Sequence, residues 1–311
     1  MPPLVLVITG PTATGKTALG VELSKKLNGE VVSADSMQIY EHMDIGTAKV
    51  TPEETKGIPH HMVGCVSPFE EYSAARYVED AAPICDDILS RGKLPIIVGG
   101  TGLYIDSLLK GRTFAERGNA EVRSRISDEY DALGGEALYE KLKKIDPEAA
   151  ARLHSNDKKR IVRALEIFEV TGITISEHDR ADRQIPPRFD AVKIALSFEN
   201  REDLYARIDR RVDIMAETGL VQEVKKLLDM GLNEKHTAMQ AIGYKELVDA
   251  ILHGSSINDA LDKIKQESRR YAKRQLSWLR RDSEINWILH RKTPQIDEAV
   301  QLSTEFLNKH G

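Results

Sequence analysis

Between residues 10 and 17 the chain reads "GPTATGKT", the spacing G-x-x-x-x-G-K-T. Gly10 and Gly15 allow the tight backbone path that turns several N–H groups inward around an anion. Pro11, Thr12, Ala13 and Thr14 fill the turn, Lys16 supplies a point charge, and Thr17 supplies a hydroxyl suited to Mg2+. Two other polar residues could act on whatever this loop holds. Asp35 in "SADSMQIY" can be a metal ligand, a general base or a helix N-cap. Thr101 in "GGTGLYI" can donate and accept through its hydroxyl, or simply close the turn after Gly99 and Gly100. "LYARIDRRVDIM" sets Arg207 and Arg211 at i and i+4 on one helical face, with Asp203, Asp209 and Asp213 near enough to pair with them. His60-His61 resembles a metal pair. Adjacent residues on an extended segment point opposite ways, however, and no Cys or acid has ligand spacing, so packing or hydrogen-bonding roles are expected.

These residues need a scaffold that brings them together. Leu4 to Ile8 is a short apolar, β-branched run, the pattern of a buried parallel strand, and "TALGVELSKKL" after the loop repeats apolar residues at helical spacing. The loop therefore lies at a helix N-terminus, whose dipole favours anions. Further strands are expected from Gly29 into Asp35, at Pro95–Val98, around Val192–Phe198 and around Asn286–His290. Strands alternating with helical stretches predict an α/β fold, a parallel sheet flanked by helices. Ligands gather at the carboxyl ends of such strands, so Gly10, Asp35 and Thr101 should meet at one pocket. From about Gly111 to Pro187 no strand-like run occurs. Asp146-Pro147 looks like an N-cap with Pro at N1, Asn156 or Asp157 can cap the next helix, and Gly172 fits the residue after a helix end. The expected organisation is a P-loop NTPase-like core of residues 1–112 and 188–311, with a helical insertion domain at 113–187.

The 311 residues are 41% hydrophobic and 30% charged, which suits a globular protein with a sizeable core. A net charge of −5 advertises no nucleic acid, so any RNA surface must be a local patch. Two distant cysteines, Cys65 and Cys85, argue against a disulfide scaffold and suit a reducing cytoplasm. The apolar N-terminal run is short and is consumed by the first strand, and no stretch has the length of a membrane span. The strand ending "IIVGG" carries no Walker B acid, and no guanine-specifying Asn-Lys-x-Asp is present, which counts against a GTPase. A P-loop small-molecule kinase remains the competing reading, with a nucleotide-dependent RNA-binding switch behind it.

The segments "GPTATGKT", "VVSADSMQIY", "GTAK", "IPHHMV", "IIVGGTGLYI", "NDKKRIVRALEIFEVTG" and "AIGYKE", in this order, closely resemble the tRNA dimethylallyltransferase (tRNA isopentenyltransferase) family over nearly the whole chain. With two cysteines and no zinc-finger extension the chain looks like the compact bacterial form. The resemblance implies transfer of a dimethylallyl group from dimethylallyl diphosphate to the exocyclic amine of adenine at tRNA position 37, just 3′ of the anticodon. The tRNAs concerned read codons beginning with U, and the products are N6-isopentenyladenosine and diphosphate. It implies Mg2+ as cofactor, tRNA through its anticodon stem-loop as partner, and a cytoplasmic monomer. Asp35 becomes the base for the adenine amine, Thr101 lies beside it and the leaving oxygen, and an arginine of the Arg207–Arg211 pair, Arg211 by choice, reaches the diphosphate. Asp35, Ser36, Met37, Gln38 and Thr101 form the segment that meets the tRNA. In the insertion, Arg123 matches a family tRNA contact, and "KKRIVR" (Lys158, Lys159, Arg160, Ile161, Val162, Arg163) begins a helix suited to the anticodon stem-loop.

Helical geometry adds one feature of its own. In "RRYAKRQLSWLRR", Arg269, Arg270, Lys273, Arg274, Arg280 and Arg281 fall within an arc of about 140°, with Tyr271, Ala272, Leu276, Trp278 and Leu279 opposite. The apolar side is expected in the core. The basic side, Lys273 and Arg274 above all, is expected as a track for RNA phosphates.

Overall fold

Leu4–Thr9 forms strand β1, and its residues alternate between two cores. Val5 and Val7 join one buried cluster, Leu6 and Ile8 the other, as the period of a strand between two helical layers requires. The structure is a computed structural model that describes residues 2–111 and 119–310. The chain divides into two compact units, Met1–Leu109 with Arg188–Gly311, and Lys110–Pro187. The expected border at residues 112 and 113 lies outside the described residues.

In the first unit, β1 leads through the glycine loop into α1 (Lys16–Leu27), followed by β2 (Gly29–Ser33), the short α2 (Pro52–Thr55), β3 (His60–His61), α3 (Ala74–Ser90), β4 (Leu94–Val98) and α4 (Gly102–Lys110). All strand pairings are parallel, and with β5 (Asp190–Phe198) and β6 (Asn286–His290) the sheet runs β3-β2-β4-β1-β5-β6. The five expected strands are present, and β3 is an addition. It has two residues on the sheet edge, too few for any periodicity to register. Its histidines take hydrogen-bonding roles: the His60 ring meets the Ile58 carbonyl at 2.8 Å and the His61 ring meets Glu30 Oε2 at 2.8 Å.

Among the described residues, the helices of the other unit are α5 (Ala120–Leu133), α6 (Gly135–Ile145), α7 (Pro147–Ala150), α8 (Lys158–Thr171) and α9 (Ile175–Asp182). They enclose a small core of Ile126, Leu138, Leu142, Ile161 and Leu165. Asp146 caps α7 by accepting from the Ala149 N–H at 2.9 Å, with Pro147 in the first turn. Gly172 ends α8 in the left-handed conformation, φ 71°. Asp157 precedes α8, yet its carboxylate accepts from the His154 N–H instead of capping the helix.

The first unit continues through β5 into α10 (Arg201–Glu217), α11 (Leu220–Asp229), α12 (Tyr244–His253), α13 (Ile257–Leu279), β6 and α14 (Ile296–His310). Leu204 and Ile208 of α10 pack with Ala272 and Leu276 of α13. No described helix is long and apolar enough to cross a membrane.

Candidate active site

Because β2, β4 and β1 are neighbours in that order, their carboxyl ends place three loops side by side. The first is the glycine loop. Gly10 adopts φ 137°, and a Cβ there would lie 2.3 Å from the Leu196 carbonyl oxygen, so a side chain would push the loop off β5. Ala13 and Gly15 are both left-handed, φ 66° and 90°, giving the curl that turns amides toward an anion. Thr14 is buried and its hydroxyl donates to the Pro11 carbonyl at 2.9 Å. Lys16 Nζ donates to the same carbonyl at 2.8 Å. Burial, helped by the nearby Arg211 and opposed by Asp35, lowers the Lys16 pKa to about 7. Thr17 is exposed in the first turn of α1, at the same cleft.

The second and third loops are locked to one another. The Ala34 N–H donates to Val98 O at 2.8 Å, and the Thr101 N–H donates to Ala34 O at 3.1 Å. A Cβ on Gly99 would sit 2.2 Å from that same Ala34 oxygen, so only glycine allows the approach. Asp35 follows directly. Its Oδ1 accepts from the Met37 and Gln38 N–H groups at 2.9 and 3.3 Å, capping the turn that follows β2. Its Oδ2 makes no hydrogen bond among the described residues, and the side chain lines the cleft within the field of Lys16 and Arg211. Capping and a free carboxylate oxygen thus coexist in one residue.

Thr101 does not itself line the cleft. It stands behind Ser36, accepting from the Ser36 N–H at 3.1 Å and donating to Ser36 Oγ at 3.3 Å. Gln38 lines the cleft beside Ser36 and Met37. Its amide donates to the Thr47 and Ala48 carbonyls at 3.2 Å each, so its NH2 fixes the 44–49 loop, which forms one wall of the cleft.

The two α10 arginines divide their work. Arg207 Nε donates to the Ala13 carbonyl at 3.1 Å and its guanidinium lies over Phe198, which braces the outside of the loop. Arg211 lines the cleft with no hydrogen-bond partner among the described residues, and burial depresses its pKa. Neither takes the aspartates nearby, since Asp209 pairs with Arg269 and Asp213 with Lys265.

The resulting cleft has a volume of about 930 Å³ and gathers residues 12–17, Asp35 to Gln38, Gly99, Gly100, Arg211 and Arg274. Gly10 and Pro11 shape it from behind, outside the lining. Sequence periodicity missed Tyr271. Assigned to the packed side of α13, it instead lines the cleft, with its hydroxyl toward Thr101 and Gln275 and Arg274 stacked on its ring. Burial, then Asp35, pushes the Tyr271 phenol up to about 12. Glu223 was missed as well. Its carboxylate accepts from the N–H groups of Asp44, Ile45 and Gly46 and from the Tyr244 hydroxyl, holding the wall loop.

The basic arc of α13 is less uniform than its spacing suggests. Arg269 is paired with Asp209 and Arg270 with Glu267, while Arg274 turns to the cleft. Lys273, Arg280 and Arg281 stay exposed, without ion pairs among the described residues. In the insertion, Lys159 and Arg160 are exposed on the first turn of α8 and Lys158 pairs with Asp131. Ile161 and Val162 are buried, so their side chains are core and not RNA-facing. Arg123 and Arg163 both reach Glu166 Oε2 at 3.0 Å, and Glu166 is fully buried.

A family model described as IPP transferase matches residues 38–282, and one described as isopentenyl transferase matches residues 3–62. A tRNA dimethylallyltransferase of Caldanaerobacter subterraneus subsp. tengcongensis is 50% identical over 305 residues, 97% of either chain. The crystal structure of a full-length tRNA isopentenylpyrophosphate transferase from Bacillus halodurans superposes with a TM-score of 0.73 at 40% identity, covering 99% of this chain and 98% of that one. A eukaryotic dimethylallyltransferase captured acting on tRNA gives 0.82 at 32% identity, covering 99% of this chain and 80% of that one. These solved relatives share the P-loop NTPase-like architecture of a helix-flanked parallel sheet. The chain therefore belongs to the IPP transferase family, that of the tRNA dimethylallyltransferases.

Proposed function

We propose that this protein transfers a dimethylallyl group from dimethylallyl diphosphate to N6 of adenine 37 in tRNAs reading codons that begin with U. The observation that carries the reading is one cleft holding both a phosphate loop with Lys16 and Arg211 and a carboxylate with a free oxygen, Asp35. The allylic C–O bond breaks and diphosphate leaves whole, with positive charge building on carbon and negative charge on the departing oxygens. Loop amides, Lys16 and Arg211 stabilise the negative charge where it develops. The adenine amine is a weak nucleophile because its lone pair is delocalised. As the N–C bond forms, its proton passes to Asp35 Oδ2. Thr101, held against Ser36, orients the segment that receives the base, and Tyr271 adds a ring at the same wall.

The donors suit Mg2+. The Thr17 hydroxyl is a hard ligand, and no group of three or more His, Cys, Asp or Glu forms a protein cage among the described residues, so phosphate oxygens and waters would supply the rest. When bound, the ion offsets charge on the leaving diphosphate.

The target adenine is unpaired in the anticodon loop, where extrusion is cheapest. Lys159, Arg160, Arg163 and Arg123 would meet the anticodon stem-loop from the insertion, and Lys273 the RNA backbone from α13. A monomer is taken as the working unit, and tRNA as substrate supports a cytoplasmic location. The test is to incubate tRNA with dimethylallyl diphosphate and, separately, with labelled ATP, then digest the RNA and weigh its nucleosides. Adenosine carrying one five-carbon prenyl unit is expected only in the first reaction. Phosphate transfer from ATP with no prenylated nucleoside would put a kinase in its place.

A further inference from the structure

Gln275 sits on α13 at 7% exposure, and its carboxamide is used at both ends. Oε1 accepts from the Thr12 N–H at 3.3 Å, and Nε2 donates to the Gly100 carbonyl at 3.0 Å. These partners lie in the glycine loop after β1 and the turn after β4. Gly100 is shaped for the contact, since a Cβ there would stand 2.2 Å from Nε2. The next residue, Thr101, is bonded through its N–H to Ala34 O, and Asp35 follows Ala34. A short series of bonds thus runs from the loop that holds the leaving group to the residue that takes the proton.

We infer that Gln275 is a positioning residue for transfer: by tying the diphosphate loop to the Gly99–Thr101 turn, it sets the separation between leaving group and base. This rests on the function proposed above. Only a carboxamide of this length offers a donor and an acceptor at once. Glu lacks the donor, Asn is a methylene short, and Met has neither. The Thr12 N–H is spent on Gln275 and not on the anion, so its loss leaves the anion's own donors in place. Arg207 holds the next residue of the loop through Ala13 O, and the packing of α10 on α13 fixes the two braces relative to each other. Losing one brace lets the two loops drift by fractions of an ångström, and such misplacement is felt in rate more than in affinity.

The test compares wild type with Gln275→Met, which keeps the volume, and Gln275→Glu, which keeps the acceptor alone. Single-turnover prenylation at saturating tRNA and dimethylallyl diphosphate is measured beside the Kd of each substrate and the thermal midpoint. Gln275→Met should lose about 10–100-fold in rate, with both Kd values within about threefold of wild type. Gln275→Glu should not restore the rate, because the Gly100 carbonyl then faces a carboxylate. A Met variant within about twofold of the wild-type rate, whatever its midpoint, overturns the inference, as does a rate loss matched by an equal loss of diphosphate affinity. Absence of prenylated adenosine with wild type itself would instead sink the transferase reading, and the positioning role with it.

Discussion

The carboxyl edge of the sheet and the helical insertion hold charged groups in opposite ways. At the edge, position is set by backbone: left-handed Ala13 and Gly15, the Gly99 approach to Ala34, the capped Asp35. In the insertion, two arginines on α5 and α8 stand 53% and 35% exposed, steered by one fully buried carboxylate, Glu166. Chemistry at a bond needs atoms fixed to fractions of an ångström, which short hydrogen-bonded loops provide. Gripping an RNA backbone needs charge at roughly the right place, which long side chains on a helix provide and salt can screen. The difference predicts where mutations will act on rate and where on affinity.

The largest effect should come from the edge. Asp35→Asn removes the proton acceptor while keeping the shape, so transfer should slow about 10²–10⁴-fold at saturating substrates, with tRNA affinity nearly unchanged. Rapid-quench kinetics and filter binding read the two quantities. Near-normal turnover would remove Asp35 from the chemistry.

Lys16→Ala should reduce kcat/KM for dimethylallyl diphosphate about 10²–10³-fold and leave the tRNA Kd within about twofold. Equal loss of both would show that the loop also organises the RNA surface. The lowered Lys16 pKa, about 7 against 10.5 for a free lysine, adds a pH signature. An anion binds best to the protonated amine, so affinity for the diphosphate should be highest below about pH 7 and weaken by up to about tenfold per unit above it. Calorimetric titration across pH checks this, and Lys16→Ala should flatten the profile. For the free protein the sign is opposite. The unfolded chain holds this proton up to about pH 10.5, so the unfavourable burial of the cation persists below about pH 7 and is relieved as pH rises between those values.

The insertion should answer differently. Glu166→Gln frees Arg123 and Arg163, and tRNA affinity should fall about five- to tenfold while the rate at saturating tRNA holds. Lys273→Ala, on the outer face of α13, should cost least: about two- to threefold in affinity and a salt slope shallower by about one, alike for all tRNAs. An unchanged slope would make Lys273 only a solvated residue. Arg274→Ala belongs with the edge residues, because its guanidinium stacks on Tyr271 inside the cleft, and it should lower the rate as well.

Much of the edge is legible in the sequence because its logic is local. The apolar runs of β1, β2, β4, β5 and β6, the glycine spacing and an acid at a strand end are all read within a few residues of one another. Gln275 and Glu223 are not, since each bonds backbone on loops far away in the chain, and nothing in their own neighbourhoods marks them. Helical periodicity gave the direction of each residue on α13 but not its reach. Tyr271 is long enough to enter the cleft from the apolar side, and Asp209 and Glu267 claim two of the six basic residues. In "KKRIVR" the same periodicity separates exposed Lys159 and Arg160 from Ile161 and Val162, which complete the insertion's core.

The division between the two regions is tested most directly by one titration: single-turnover prenylation rate against tRNA concentration, for wild type, Asp35→Asn and Glu166→Gln side by side. Asp35→Asn should keep the half-saturating tRNA concentration and lose its plateau, whereas Glu166→Gln should keep the plateau and shift the half-saturation point upward. If both variants lose plateau and half-saturation together, the chemistry and the RNA grip are not housed separately and the account is wrong.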